Sequence, residues 1–305
     1  MSIATTPRAG DAPQNSVLVP ILLVILAVSL FSCGDTLAKL LRESALPATE
    51  IAWLRYIVFV LYGVVLAARA GVLGWRCRRP GLQLARGVTV LGSAILFIMA
   101  LGHLPIADAT AINFVSPAFI TALSMLILRE QVGMRRWAAV LVGLVGVLIV
   151  VRPGAGAFQP AAVLPITSAA CWAAAIVITR RMGVADRTET TLLWSATSGF
   201  LLLSITIFFG FTMPSLREIG IAFAMGVCSA TAQYLVIVAY TMMPASLLAP
   251  FSYVQILTST ALGFAVFGAV PDHATFLGAA IIVASGLYTA HRERVRMRAR
   301  IAGGA

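Results

Sequence analysis

Along this chain apolar residues come in long unbroken runs, and polar residues gather in short segments between them. The runs cover about Val17–Leu41, Ala48–Ala68, Gly87–Leu101, Ile106–Leu128, Trp137–Val151, Ala161–Thr179, Thr190–Phe211, Ile219–Tyr240, Ala245–Phe267 and Ala274–Tyr288. A helix of about 18 or more apolar residues crosses the ~30 Å hydrocarbon core, where it satisfies its own backbone hydrogen bonds. The clearest unit lies between Arg86 and Trp137. Its two runs are separated only by Gly102, His103, Leu104 and Pro105, a tight turn at one membrane face, while Arg129-Glu130 and Arg135-Arg136 mark the other. The pattern predicts an all-α membrane protein with ten transmembrane helices.

Composition agrees. The apolar fraction is 60% and the charged fraction 11%, against about 45–50% and 25% in soluble domains, and the mean hydropathy is +0.97. The lipid bilayer is therefore the first partner. A net charge of +11 suggests nucleic acid, but the basic residues sit between apolar runs and in the tail Arg292–Arg300, where membrane-flanking charge belongs. No nucleic-acid partner is expected. The cysteines Cys33, Cys77, Cys171 and Cys228 show no paired spacing, and three lie inside apolar runs, so neither a disulfide framework nor a metal site is expected. No cofactor is implied.

Arginine placement gives the orientation. With a cytoplasmic N-terminus, seventeen Lys and Arg fall on the inside: Arg8, the Arg69–Arg86 loop, Arg129–Arg136, Arg180–Arg187 and the C-terminal tail. Only Arg42, Arg152 and Arg217 fall outside. The positive-inside rule then sets both termini in the cytoplasm of a bacterial inner membrane.

A repeat follows. Pro105 has a counterpart in Pro244, 139 residues later, and at that offset Ala100 matches Ala239 and Phe114 matches Tyr253. The arginine-rich loops of one half correspond to arginine-poor loops of the other, as five spans per half and an inverted second half require. Such repeats hold substrate near the midplane between halves. The expected organisation is a polar lead over 1–16, a first half over 17–152, a Pro/Gly-rich linker over 153–160, a second half over 161–291 and a basic tail over 292–305.

Several strings resemble the EamA family of the drug/metabolite transporter superfamily: Phe31–Lys39 (FSCGDTLAK), Trp53-Leu54-Arg55-Tyr56, Arg86-Gly87, Ala100–Ala107, Phe114–Pro117, Arg136-Trp137, Arg152-Pro153-Gly154 and Ala249–Tyr253. The resemblance covers roughly Val17–His291. It implies ten helices in two inverted five-helix repeats, with spans one to four and six to nine around a central cavity. The second half lacks the Arg-Glu pair that follows span four.

Polar residues inside spans are the site candidates, because each Asp, Lys or Arg at a helix centre costs roughly 2.5–3.5 kcal/mol to insert. Asp35 and Lys39 are four apart, so they share a face of span one and can pair. Glu50 and Arg55 lie in the first turns of span two, and Asp108 opens span four, where the helix dipole suits it. Asp35, Lys39 and Arg55 read as a charged wall for a polar substrate or as a structural ion-pair set. Asn113, Gln233 and Gln255 sit on polar stripes of spans four, eight and nine and read as cavity lining, while many Ser and Gly beside them suit helix packing. Trp172 and Tyr253 are the aromatics best placed to stack on a flat substrate. Pro105, Pro117, Pro244 and Pro250 are candidate kinks and gates.

No HExxH, no GxSxG and no second intramembrane aspartate motif is present, and His103, His273 and His291 lie at span ends, so no enzyme is expected. A channel would favour a polar stripe through the whole membrane. The expectation is a secondary transporter moving a small organic metabolite by alternating access. The strings FSCGDTLAK and AWLRY look most like riboflavin importers and S-adenosylmethionine carriers. Riboflavin uptake is the leading expectation, with S-adenosylmethionine transport or export of amino acids and related metabolites as alternatives. A homodimer is compatible with this topology.

Overall fold

The computed structural model describes residues 15–44, 46–71, 76–128, 134–151, 160–182, 186–208, 210–242, 248, 251–270, 272–281, 283–285 and 287–288. These residues form helices and short connections, with no strand among them. In chain order the helices are α1 (Asn15–Glu43), α2 (Ala48–Arg69), α3 (Pro80–Leu101), α4 (Ile106–Asn113), α5 (Ser116–Leu128), α6 (Met134–Val151), α7 (Val163–Met182), α8 (Thr188–Ile207), α9 (Leu216–Met242) and α10 (Val254–Phe267). A further apolar helix runs over His273–Ser285. Among the described residues, seven helical stretches are long and apolar enough to cross a membrane, the α4–α5 stretch counting as one.

Prolines set several boundaries. Pro47 and Pro105 precede α2 and α4 with φ near −58°, and Pro80 opens α3, where a missing amide proton leaves nothing unpaired. Gly268 ends α10 at φ 66°, a left-handed conformation that glycine adopts without strain. The break between α4 and α5 falls at Phe114 and Val115. Pro117 lies just beyond it and cannot donate to the Asn113 carbonyl, so the expected kink is a true interruption.

α1 shows how the chain divides lipid from protein. Leu18, Leu22 and Leu26, four apart, are exposed, while Val24, Ala27 and Val28 are buried; one stripe faces lipid and the other packs inward. Inside, α1 packs on α9 and α10, α3 on α7 and α8, α2 on α8 and α9, and α4 on α10. The core of these contacts includes Leu41, Ile51, Tyr56, Ile98, Leu101, Ile112, Leu192 and Met225.

Helix limits recur at the 139-residue offset. Shifted back by 139, Thr188–Ile207 falls on 49–68 within Ala48–Arg69, and Phe267 falls on Leu128, the last residue of α5. His273–Ser285 falls on 134–146 within Met134–Val151. Close approaches recur too. Gly87 of α3 lies against Ser198 of α8, and its counterpart Gly226 of α9 lies against Val58 of α2, where a Cβ would come within 2.5 Å of Val58 Cβ. Both sites need glycine so that the helices can touch.

One boundary needs correction. Hydropathy starts the third span at Gly87, but the helix starts at Pro80. Arg86 is therefore inside a helix and 3% exposed, not a loop charge. Pro244, Pro250, Arg129-Glu130 and most of the 153–160 linker lie outside the described residues, as do the residues of the lead before 15 and the basic tail.

Candidate functional site

Five polar side chains singled out in the sequence stand on helices that pack against one another, α1, α2, α4, α9 and α10. Asp35 stands on α1, and Arg55 on α2 is the charged group that acts on it. Asn113 is the last residue of α4, directly before the proline-induced break. Gln233 on α9 is 6% exposed, and Gln255 is the second residue of α10. Among the described residues none of these five side chains has a hydrogen-bond partner; Arg55 Nε and Asn113 Oδ1 are fully shielded and unpaired. A buried amide or charge without a partner is unfavourable by about 1–3 kcal/mol; Tyr56 Oη, Gln83 Oε1 and Thr110 Oγ1 are left unpaired in the same way elsewhere in the bundle.

Their helices are neighbours. Ser32 of α1 hydrogen-bonds Thr258 Oγ1 of α10 at 2.8 Å, which brings the Asp35 helix against the Gln255 helix. Phe114 and Tyr253 meet across α4 and α10 with ring centroids 5.1 Å apart at 33°. Their counterpart positions in the two halves thus touch, and Asn113 is the residue next to that ring pair. Trp172, on α7, is half-buried and makes no ring contact or hydrogen bond among the described residues.

The outer ends of the helices hold the other candidates. Lys39 does not pair with Asp35. Its Nζ donates to the carbonyls of Leu104 at 2.9 Å and Leu101 at 3.4 Å and lies 5.4 Å above the Phe267 ring. The last carbonyls of a helix lack intrahelical partners, and they capture the long ammonium arm that α1 extends toward them. Glu50 does not reach the membrane interface either. It is 1% exposed; its Oε2 accepts from the Thr212 amide at 3.1 Å while Oε1 has no partner. Asp108 sits in the first turn of α4 and accepts from Thr275 Oγ1 at 2.8 Å. Beside it lies a cleft of about 220 Å³ lined by Pro105, Asp108, Thr260, Gly263 and Asp272 among others. No group of three or more metal-ligating side chains occurs among the described residues.

A second polar set, missed in the sequence, lies at the N-terminal end of α3. The Asp186 carboxylate accepts from the Arg78 amide at 2.7 Å and from Gln83 Nε2 at 3.0 Å. Gln83 Nε2 also donates to Thr191 Oγ1 at 3.0 Å. Arg86 donates through Nε to Thr179 Oγ1 at 2.8 Å and through a second nitrogen to Ser195 Oγ. Further along α3, Ser93 and Ser168 share a 3.1 Å bond. Cys77 in the preceding loop points its thiol at Asp186. Burial pushes that thiol above its ordinary pKa, and the Asp186 carboxylate adds to the shift against the opposing Arg79 amide. The signal that could have exposed this set is Pro80, which starts the helix and carries Gln83 and Arg86 inside it.

Comparison with known proteins places this fold. The model of the EamA-like transporter family matches twice, over residues 18–152 and 159–289. A riboflavin transporter of Rhizobium johnstonii is 28% identical, with 94% of this chain and 95% of that protein covered. A riboflavin transporter of Vibrio cholerae is 31% identical over 84% of this chain and 87% of that protein. An S-adenosylmethionine uptake transporter of Rickettsia bellii is 25% identical over 88% and 92%. Two family matches that together span nearly the whole chain, over a bundle of apolar helices with unpaired polar groups inside, establish that this protein belongs to the EamA-like transporter family.

Proposed function

We propose that this protein is an inner-membrane uptake carrier for riboflavin that works by alternating access. The observation that carries the reading is the Phe114–Tyr253 ring pair with Asn113 and Gln255 close to it in the chain, on helices packed with those that carry Asp35, Arg55 and Gln233. Riboflavin offers a flat tricyclic ring, a carbonyl and N–H edge and a polyol chain. Arg55, Asn113, Gln233 and Gln255 supply donors and acceptors for the polar edge, and Phe114 and Tyr253 supply an apolar face for the ring. The Asp35 carboxylate, on which the Arg55 charge acts, accepts from the polyol. Trp172 is the remaining aromatic candidate, and Lys39 fastens the outer turn. The names of the two riboflavin-transporting relatives support the substrate.

The same reading assigns ten spans in two inverted halves, 17–152 and 161–291, with both termini in the cytoplasm. The helix limits that recur at 139 residues, the paired glycine contacts and the distribution of arginines support it. Pro105 precedes α4 and Pro117 follows its break, and broken helices line transporter cavities; Pro244 and Pro250 remain kink candidates from the sequence. Growth of a riboflavin auxotroph on limiting riboflavin tests the substrate: expression of this protein should rescue growth. No rescue, with the protein verified in the membrane, overturns it.

A further inference from the structure

The two seams that join the halves differ in chemistry, although the 139-residue offset relates them. One is made by α3 against α7 and α8, and side-chain hydrogen bonds cross it between the halves: Gln83 with Asp186 and Thr191, Arg86 with Thr179 and Ser195, Ser93 with Ser168. The other is made by α9 against α1 and α2. There Ala222 stands for Gln83, Met225 for Arg86 and Ala232 for Ser93, all of them buried. Facing them are Leu40, Ala52 and Tyr56 where the first seam has Thr179, Thr191 and Ser195. At the exposed rim Ser44, directly after α1, bonds Glu218 in the first turn of α9; deeper in, no side-chain hydrogen bond joins α1 to α9 among the described residues.

From this contrast, which rests on the inverted two-half reading above, we infer that the polar seam of Gln83, Arg86 and Asp186 is the moving cytoplasmic gate and the apolar seam is a fixed joint. When a polar seam opens to water its groups exchange protein partners for solvent, at a net difference of only about 0.5–1.5 kcal/mol per hydrogen bond. When an apolar seam opens, every Å² newly wetted is unfavourable by about 25 cal/mol. Two seams equal in backbone geometry are thus unequal in how readily they part. The one at the cytoplasmic end of α3 opens, and the one at the outer start of α9 pivots.

The chain carries a native reporter in each seam. Cys171 of α7 lies against Gly92 of α3, its Sγ 3.4 Å from where a glycine Cβ would stand. Cys228 of α9 lies against Gly34 of α1, with its Cβ 3.9 Å from the equivalent point. Full-length protein is placed in membrane vesicles of either orientation, in a Cys33→Ser, Cys77→Ser background that retains either Cys171 or Cys228, and is exposed to a membrane-impermeant charged maleimide. Asp186→Ala removes the acceptor shared by Gln83 and the Arg78 amide, and Gln83→Ala removes the side chain that bridges Asp186 and Thr191. Either variant should raise labelling of Cys171 from the cytoplasmic face about fivefold, with Cys228 unlabelled from the outer face. A second arm keeps Cys77 and introduces Asp186→Cys beside it. Oxidation at mildly alkaline pH, which the raised Cys77 pKa calls for, should lock the seam, reduce Cys171 labelling to background and stop transport until a reductant is added. Labelling of Cys228 equal to that of Cys171, Cys171 labelling unmoved by both loosening variants, or transport at the unmodified rate by the cross-linked protein overturns the assignment. The labelling arms need no substrate, so failure of the riboflavin reading leaves them decisive.

Discussion

The helices that carry the binding candidates and the N-terminal end of α3 both place charged and amide side chains inside apolar helices, and they treat them in opposite ways. At the α3 end Arg86 donates to Thr179 and Ser195, and Gln83 donates to Asp186 and Thr191. The binding candidates Asp35, Arg55, Asn113, Gln233 and Gln255 have no such partners among the described residues. A polar group in a bilayer must be compensated. Where the protein supplies the partner the group holds helices together; where it does not, that place is the one proposed above for the substrate.

The difference can be broken by mutation. Arg55→Ala should give the largest effect, with riboflavin uptake falling roughly 30–100-fold, the equivalent of about 2–3 kcal/mol for a lost charged hydrogen bond. Its yield should stay close to that of the unmodified protein, because Arg55 Nε has no hydrogen-bond partner to lose and the cost falls on the Asp35 carboxylate alone. A melting temperature that falls in step with uptake would move Arg55 to the fastening group. Next, Asn113→Ala should raise the half-saturation constant for riboflavin about tenfold with maximal rate preserved. Tyr253→Ala should weaken uptake by about three- to tenfold through loss of its aromatic contact, and Tyr253→Phe should recover most of it. Smallest of all, Ser93→Ala at the seam should leave the half-saturation constant unchanged and lower thermal stability by only about 0.6 kcal/mol, the average for a hydrogen bond between membrane helices. A change in half-saturation constant there would erase the boundary between the two regions.

Much of this was legible in the sequence, and the exceptions have physical reasons. Apolar runs located the spans because lipid rewards them regardless of neighbours, and Pro105, Pro117 and the 139-residue offset indicated where helices start, break and recur. Partnership was not legible. Spacing puts Asp35 and Lys39 on one face, but it cannot show that free carbonyls at the end of α3 capture Lys39. Glu50 looks able to reach the interface, yet the Thr212 amide caps it inside the protein. Arg86 was counted among loop charges because hydropathy averages over several residues and hides a polar first turn or two. Its helix begins at Pro80, and its partners Thr179 and Ser195 lie 93 and 109 residues away in sequence. Contacts at such separations are set by packing, not by local pattern.

The unpaired candidate groups are the core of the proposal, and counterflow tests them most directly. Purified protein is reconstituted into liposomes preloaded with unlabelled riboflavin, and entry of labelled riboflavin is followed without any ion gradient. The unmodified protein should show saturable, exchange-driven accumulation, and Arg55→Ala, incorporated at equal density, should show almost none. Absence of saturable counterflow in the unmodified protein, or equal counterflow in Arg55→Ala, would contradict the assignment of these groups to riboflavin.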